Sequence, residues 1–122
     1  MDQLKIEILP GADGTRILRL DGPLTLTTLF EFQDAARHDR SAVTIVDLTA
    51  VPYMDSAALG AILGIHVSCQ KDDRKYALVG AGERLEVLFR VAGVDGILVR
   101  FPTLEQAQAQ LTSHGFGASR SA

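Results

Sequence analysis

At 122 residues, 47% of them hydrophobic and 22% charged, the chain has the length and composition of one globular domain, long enough to bury roughly two-thirds of the surface its unfolded form exposes. A formal net charge of −3 supplies no electrostatic footprint for nucleic acid or an anionic membrane. No apolar run approaches the roughly 20 residues of a membrane span, and the start Met1-Asp-Gln-Leu-Lys5 lacks the charged and apolar regions of a secretion signal, so the expected location is the cytoplasm.

Residues 4 to 9 alternate apolar and polar side chains, residues 15 to 21 do so less strictly, and Pro10-Gly-Ala-Asp-Gly14 supplies the turn of a hairpin between them. Gly22-Pro23 then leads into a helix of about residues 26 to 38. There Thr28 and Glu31 have capping-box spacing and Leu26, Leu29 and Phe30 form the expected apolar stripe. Ala42-Val-Thr-Ile-Val-Asp47 reads as a buried strand followed by Thr49 and the breaker Pro52. Beyond it Leu59, Ile62, Leu63, His66 and Val67 recur at the period of one helical face. Asp55 and Ser56 therefore sit where a strand hands over to a helix, and either can be the N-cap. The first turn of a helix has unpaired N–H groups and the positive end of the macrodipole, so an anion on Ser56 would be met by backbone amides.

Lys71-Asp-Asp-Arg-Lys75 is a charged turn and Tyr76-Ala-Leu-Val-Gly80 a short apolar strand. Gly80-Ala-Gly82 after that strand invites a nucleotide-binding reading, but the third glycine of the dinucleotide fingerprint is missing, as is a Lys-Ser/Thr pair. A plain strand-to-helix turn is preferred. The next helix, about residues 83 to 92, would bury Leu85, Leu88, Phe89 and Ala92 and stop at Gly93. Ile97-Leu-Val-Arg-Phe101 is the expected last strand, and Thr103 with Gln106 opens a helix burying Leu104, Ala107 and Leu111. Residues 1–112 thus form the domain, and 113–122, without apolar period, are expected to be a disordered tail.

Other chemistry finds little support. The single Cys69 excludes an intramolecular disulfide and suits a small apolar role. His38, His66 and His114 are scattered without metal-ligand spacing, so neither metal nor cofactor is expected. Ten residues of helix separate Ser56 from His66 by about 15 Å, which leaves the hydroxyl without a base and argues against an enzyme.

Tyr53-Met-Asp-Ser-Ala-Ala-Leu-Gly-Ala-Ile-Leu-Gly64 closely resembles the central segment of STAS domains, the fold named for sulfate transporters and anti-sigma factor antagonists, especially the small free-standing bacterial antagonists. There the segment usually reads Met-Asp-Ser-Ser/Thr-Gly-Leu-Gly, and the Ser after Asp is the phospho-acceptor. That position here is Ser56. The resemblance extends to Leu18-Arg-Leu-Asp-Gly-Pro-Leu24, Val79-Gly-Ala-Gly-Glu-Arg-Leu-Glu-Val-Leu-Phe89 and Ala92-Gly-Val-Asp-Gly-Ile-Leu98, covering about residues 4 to 112. Element order points to an α/β domain with one mixed sheet. The resemblance specifies it as a STAS-type mixed β-sheet with packed α-helices in a single domain.

The mechanism implied by this resemblance is a partner switch. The unphosphorylated domain binds an anti-sigma factor that is also a serine kinase, phosphorylation of Ser56 ends the binding, and a PP2C-type phosphatase restores it. Asp55, Ser56, Ala57, Ala58, Leu59 and Thr25 would form the partner-facing surface, with Asp55 orienting the site and Leu59 supplying exposed apolar contact. Thr25 stands where related antagonists commonly carry Asp. Ala57 replaces the usual second Ser or Thr. Ala58 replaces a Gly, adding a methyl where a kinase loop would approach and favouring helix by roughly 1 kcal/mol. A homodimer is compatible with all of this. Three other readings stay open: an adaptor or scaffold subunit of a signalling or transporter assembly in which Ser56 is only a cap, a receiver domain phosphorylated on Asp47, and an enzyme with Ser56 as nucleophile.

Overall fold

The computed structural model describes the backbone of residues 3–118 and the side-chain surroundings of residues 3–112. The elements in order are β1 (Lys5–Pro10), β2 (Thr15–Asp21), α1 (Leu29–Arg37), β3 (Val43–Ala50), α2 (Ser56–Lys71), β4 (Lys75–Val79), α3 (Glu83–Val91), β5 (Arg100–Phe101) and α4 (Leu104–Ala118). They build one five-stranded sheet in the order β1-β2-β3-β4-β5. β1 and β2 form the expected antiparallel hairpin, and β2 through β5 are parallel. The mixed sheet with packed helices expected of the chain is what the structure contains.

Topology dictates the layers. The crossovers β2-α1-β3, β3-α2-β4 and β4-α3-β5 all step the same way across the sheet, and a common right hand puts their helices on one face. Leu18, Leu20, Val46, Leu48 and Leu78 accordingly pack against Phe32 of α1, Ile62 of α2 and Phe89 of α3 in the larger core. Ile17, Val43, Ile45 and Val79 point to the opposite face, where Ala107 of α4 covers them. Residues 43–48 of β3, buried on both faces, form the near-continuous apolar run that a central parallel strand requires.

Several details depart from expectation. α1 begins at Leu29 rather than 26, and the buried residues are Leu29, Phe32 and Ala36, whereas Leu26 and Phe30 are exposed. Thr28 forms no capping box. Its hydroxyl donates to the Pro23 carbonyl at 2.9 Å and accepts from Thr25 N at 2.9 Å, so it is spent on the incoming loop. Val67, expected on the packed face of α2, is 52% exposed. The last strand contracts to two residues because the chain from 94 to 98 is wound into turns. Arg100 ties these turns by donating to the Asp95 and Leu98 carbonyls, and Arg100 and Phe101 are the residues in register with β4, Val99 adding its carbonyl to Leu78 N at 2.9 Å. The bounds of α4 overlap the expected tail as far as Ala118; side chains from 113 onward, and all of 119–122, lie outside the described residues.

Candidate functional site

The site lies where β2 and β3 end and α1 and α2 begin. Past the strand ends, Leu24 and Met54 form one further parallel bridge, with Leu24 N donating to Tyr53 O at 3.1 Å and Asp55 N to Leu24 O at 3.3 Å. Two loops that would otherwise be independent are thereby joined. Gly22 makes the entry possible: its φ of 121° suits glycine, and a Cβ there would collide with the Gln3 carbonyl.

Asp55 is the N-cap of α2, in extended conformation at φ −102°, ψ 178°. Its carboxylate accepts from two amides, Ala58 N at 2.9 Å through Oδ1 and Leu26 N at 3.0 Å through Oδ2. One side chain therefore closes the first turn of α2 and pins the β2–α1 loop to it. Thr25, next to Leu26, is half-buried; its carbonyl accepts from Thr28 N and Leu29 N, and its hydroxyl meets that of Thr27 at 3.1 Å. It is brought to the site through its neighbour rather than through a direct bond to Asp55.

Ser56 is the first residue of α2 and is exposed, as is Ala57. Ala58 N is taken by the cap and Leu59 N bonds the Asp55 carbonyl at 3.0 Å, so the Ser56 and Ala57 amides are the open donors of the turn among the described residues. Two expectations are corrected here. Leu59 is 4% exposed and Ala58 fully buried, both inside the main core, because they follow the cap on the face of α2 turned to the sheet. Neither offers contact area, and the Ala58 methyl does not stand in the path of an approaching loop.

The apolar surface around Ser56 comes instead from Leu26 (57% exposed), Phe30 (64%) and Tyr53. Sequence reasoning placed Leu26 and Phe30 in the buried stripe. The spacing Leu29, Phe32, Ala36 was the signal that could have released them to the surface. Arg84 of α3 lies over the Tyr53 ring, 5.9 Å from its centroid.

Other candidates are used structurally. Asp47, nearly buried, accepts from the Thr49 amide and hydroxyl and pairs with Arg19 at 3.4 Å, leaving a poor acyl-phosphate acceptor. Gly80 has φ 71° and packs its backbone against Thr49, whose hydroxyl occupies the place of a Cβ, which accounts for the glycine without a phosphate. His66 sits against Tyr76, 6.3 Å between ring centroids, well down α2 from Ser56. Cys69 is buried, and burial pushes its thiol up from the ordinary value. Among the described residues no group of His, Cys, Asp and Glu could hold a metal ion, and no helix is long and apolar enough to cross a membrane.

Comparison with known proteins agrees with this architecture. A family model for the STAS domain matches residues 6–107. An anti-sigma-B factor antagonist of Listeria monocytogenes is 38% identical over 53 residues, 43% of this chain and 46% of that protein, so the match spans about half the relative's length. One from Staphylococcus aureus is 26% identical over 66% of this chain and 78% of its own. The crystal structure of an anti-sigma factor antagonist from Mycobacterium paratuberculosis superposes with a TM-score of 0.78 at 20% identity, covering 90% of this chain and 92% of the other.

Proposed function

The chain belongs to the STAS domain family, and from that premise we propose that it is an anti-sigma factor antagonist that works by partner switching in the cytoplasm. In this reading the unphosphorylated domain binds an anti-sigma factor that is also a serine kinase, and the sigma factor is freed. Transfer of the γ-phosphoryl group of ATP to Ser56 Oγ, with loss of the hydroxyl proton and release of ADP, ends the binding. A PP2C-type phosphatase hydrolyses the ester and resets the domain. The chain itself is regulatory and not catalytic.

The observation that carries this reading is the division of labour at the start of α2. Asp55 does the capping, with one carboxylate on both Ala58 N and Leu26 N, so Ser56 is free of structural duty at an exposed position in the first turn of α2. A phosphate there adds about −1.5 to −2 charge beside the Asp55 carboxylate. The open Ser56 and Ala57 amides can hold it without refolding the domain. It would stand amid Leu26, Phe30, Tyr53 and Ala57, a surface that a partner must desolvate. Binding is then lost through solvation of the phosphate and repulsion, with the fold intact.

Intact-mass analysis with ATP and each anti-sigma serine kinase of the source organism tests it, with Ser56→Ala as control. Gain of one phosphoryl group by the parent alone, with loss of the complex, is the expected result. Stable binding without phosphate transfer would instead favour the adaptor reading, and neither binding nor transfer would remove the antagonist reading.

A further inference from the structure

α1 and α2 run side by side and leave an open groove of about 870 Å³ between them. Apolar walls come from Leu29 and Phe30 on α1 and Ile65 on α2. Its floor is nearly bare backbone, since Gly60 and Gly64 line it and both are exposed. A Cβ at either glycine would meet nothing within 4 Å. The fold therefore has no use for them, although glycine within a helix is unfavourable relative to alanine. Their bareness suits an external backbone coming close.

The two ends of the groove differ in charge. At the end near Ser56 it is apolar, with Leu26, Phe30 and Ala57. At the far end three arginines, Arg37, Arg40 and Arg74, line it against one carboxylate, Asp72, in a chain whose net charge is −3. Arg37 is exposed and only loosely paired with Asp34 at 3.5 Å. Arg40 donates to the Arg37 and Asp39 carbonyls, and Arg74 donates to the Asp39 carbonyl and pairs with Asp72 at 3.7 Å, its buried Nε having no hydrogen-bond partner among the described residues. The far end also receives the C-termini of α1 and α2, whose macrodipoles favour the N-terminus of an incoming helix.

We propose that this groove docks an amphipathic helix of a partner protein, antiparallel to α1 and α2, its small apolar face on Gly60 and Gly64 and its acidic first turn on the arginines. From Ala57 to Ser68 the floor extends about 16 Å, roughly three turns of such a helix. The docking does not require the switch at Ser56, so it stands or falls separately from the function proposed above.

The test is an NMR titration of the labelled full-length protein with an 18-residue helical peptide carrying an Ala/Leu face and three glutamates in its first turn, beside a twin with three lysines instead. Amide shifts confined to residues 26–40 and 57–74 are expected for the glutamate peptide, with at least tenfold weaker binding of the lysine twin. Gly64→Leu, which fills the floor, and Arg37→Glu with Arg40→Glu should each weaken the glutamate peptide at least tenfold. Gly60→Ala with Gly64→Ala should raise the Tm by roughly 5 °C or more, because both glycines are dispensable to the fold. Absence of groove-confined shifts, equal response to the two peptides, or undiminished binding by Gly64→Leu overturns the proposal. So does a concentration-dependent dimer that Gly64→Leu dissociates without any peptide binding, which would make a second copy the occupant.

Discussion

The parallel strands have an aspartate near each end, and the two are used in opposite ways. Where β3 begins, Asp39 is 2% exposed, accepting from the Thr44 hydroxyl at 2.5 Å and from Ser41 N at 2.9 Å. Its carbonyl receives Arg40 and Arg74. Burial by itself pushes this carboxyl up, but the hydrogen bonds from Thr44 and Ser41 outweigh it and hold the group below the ordinary 3.8. Where β3 ends, Asp55 also accepts from two amides, yet the residue after it is exposed. Both carboxylates close a turn by taking backbone or hydroxyl protons. At Asp39 the carboxylate is enclosed with the groups it accepts from, which makes a seam, although Arg40 and Arg74 on its carbonyl border the groove between α1 and α2. At Asp55 a hydroxyl, two amides and several apolar side chains are left facing out, which makes a platform.

The strongest way to break this comparison is to test whether the platform ends where the burial pattern says. Leu59→Ala should cost about 3 kcal/mol in urea unfolding, as truncation of a buried leucine does. Partner affinity, corrected for the folded fraction, should stay within a factor of two. A small stability loss with a large affinity loss would return Leu59 to the surface. The next effect belongs to the seam. Asp39→Asn should cost about 2 kcal/mol at pH 7, because a charge-assisted hydrogen bond to Thr44 is replaced by a weaker one. Since the folded value of Asp39 is depressed, its contribution is fully present above the unfolded value of about 3.8 and is lost as pH falls through the folded one. Urea midpoints of parent and variant should therefore converge on acidification from pH 5 to pH 2.5. A gap that persists to the acid end would show that the ionised carboxylate is not what closes the turn.

Sequence periodicity located the platform but not the seam, because Asp39 lies between elements and its bonds to Thr44 and Arg74 follow no periodic spacing. The hairpin, the central strand and the strand-to-helix junction at Asp55 and Ser56 were legible because local pattern and tertiary role agree there. Helical spacing put Leu59 with the packed stripe, and its assignment to an exposed partner surface went against that spacing, whereas Val67 left the stripe because the period alone does not fix which side of it faces the sheet. That is decided by the entry angle, which the Leu24–Met54 bridge and the Asp55 bond to Leu26 N set from another loop. Thr28 fits a capping box in spacing, but its hydroxyl is captured by Pro23 O, five residues back. The missing half of the last strand has the same origin. Ile97 and Val99 have strand propensity, but Arg100 holds the preceding turns through carbonyls that no linear pattern reveals. STAS resemblance supplied the topology, which spacing did not determine.

The smaller effects sharpen the contrast at the platform itself. Asp55→Ala should cost about 1 kcal/mol, the usual loss of an N-cap. It should also speed hydrogen exchange at Leu26 N and Ala58 N, the two amides it releases, while the amides near Asp39 stay protected. Ser56 should be the least sensitive position for stability and the most sensitive for binding. Its hydroxyl caps nothing, so Ser56→Ala should shift stability by no more than about 0.5 kcal/mol. Ser56→Asp puts a negative charge at the first position of α2, where the macrodipole favours it by about 0.3–1 kcal/mol, so that variant should be as stable as the parent or slightly more so. The same charge sits beside Asp55 amid Leu26, Phe30 and Tyr53, and, if the proposed partner is an anti-sigma factor, it should weaken that complex at least tenfold. A Ser56→Asp protein that is destabilised would mean that the hydroxyl has a structural partner and the platform is another seam. One that is stable and binds unchanged would leave the exposed serine without a switch to throw.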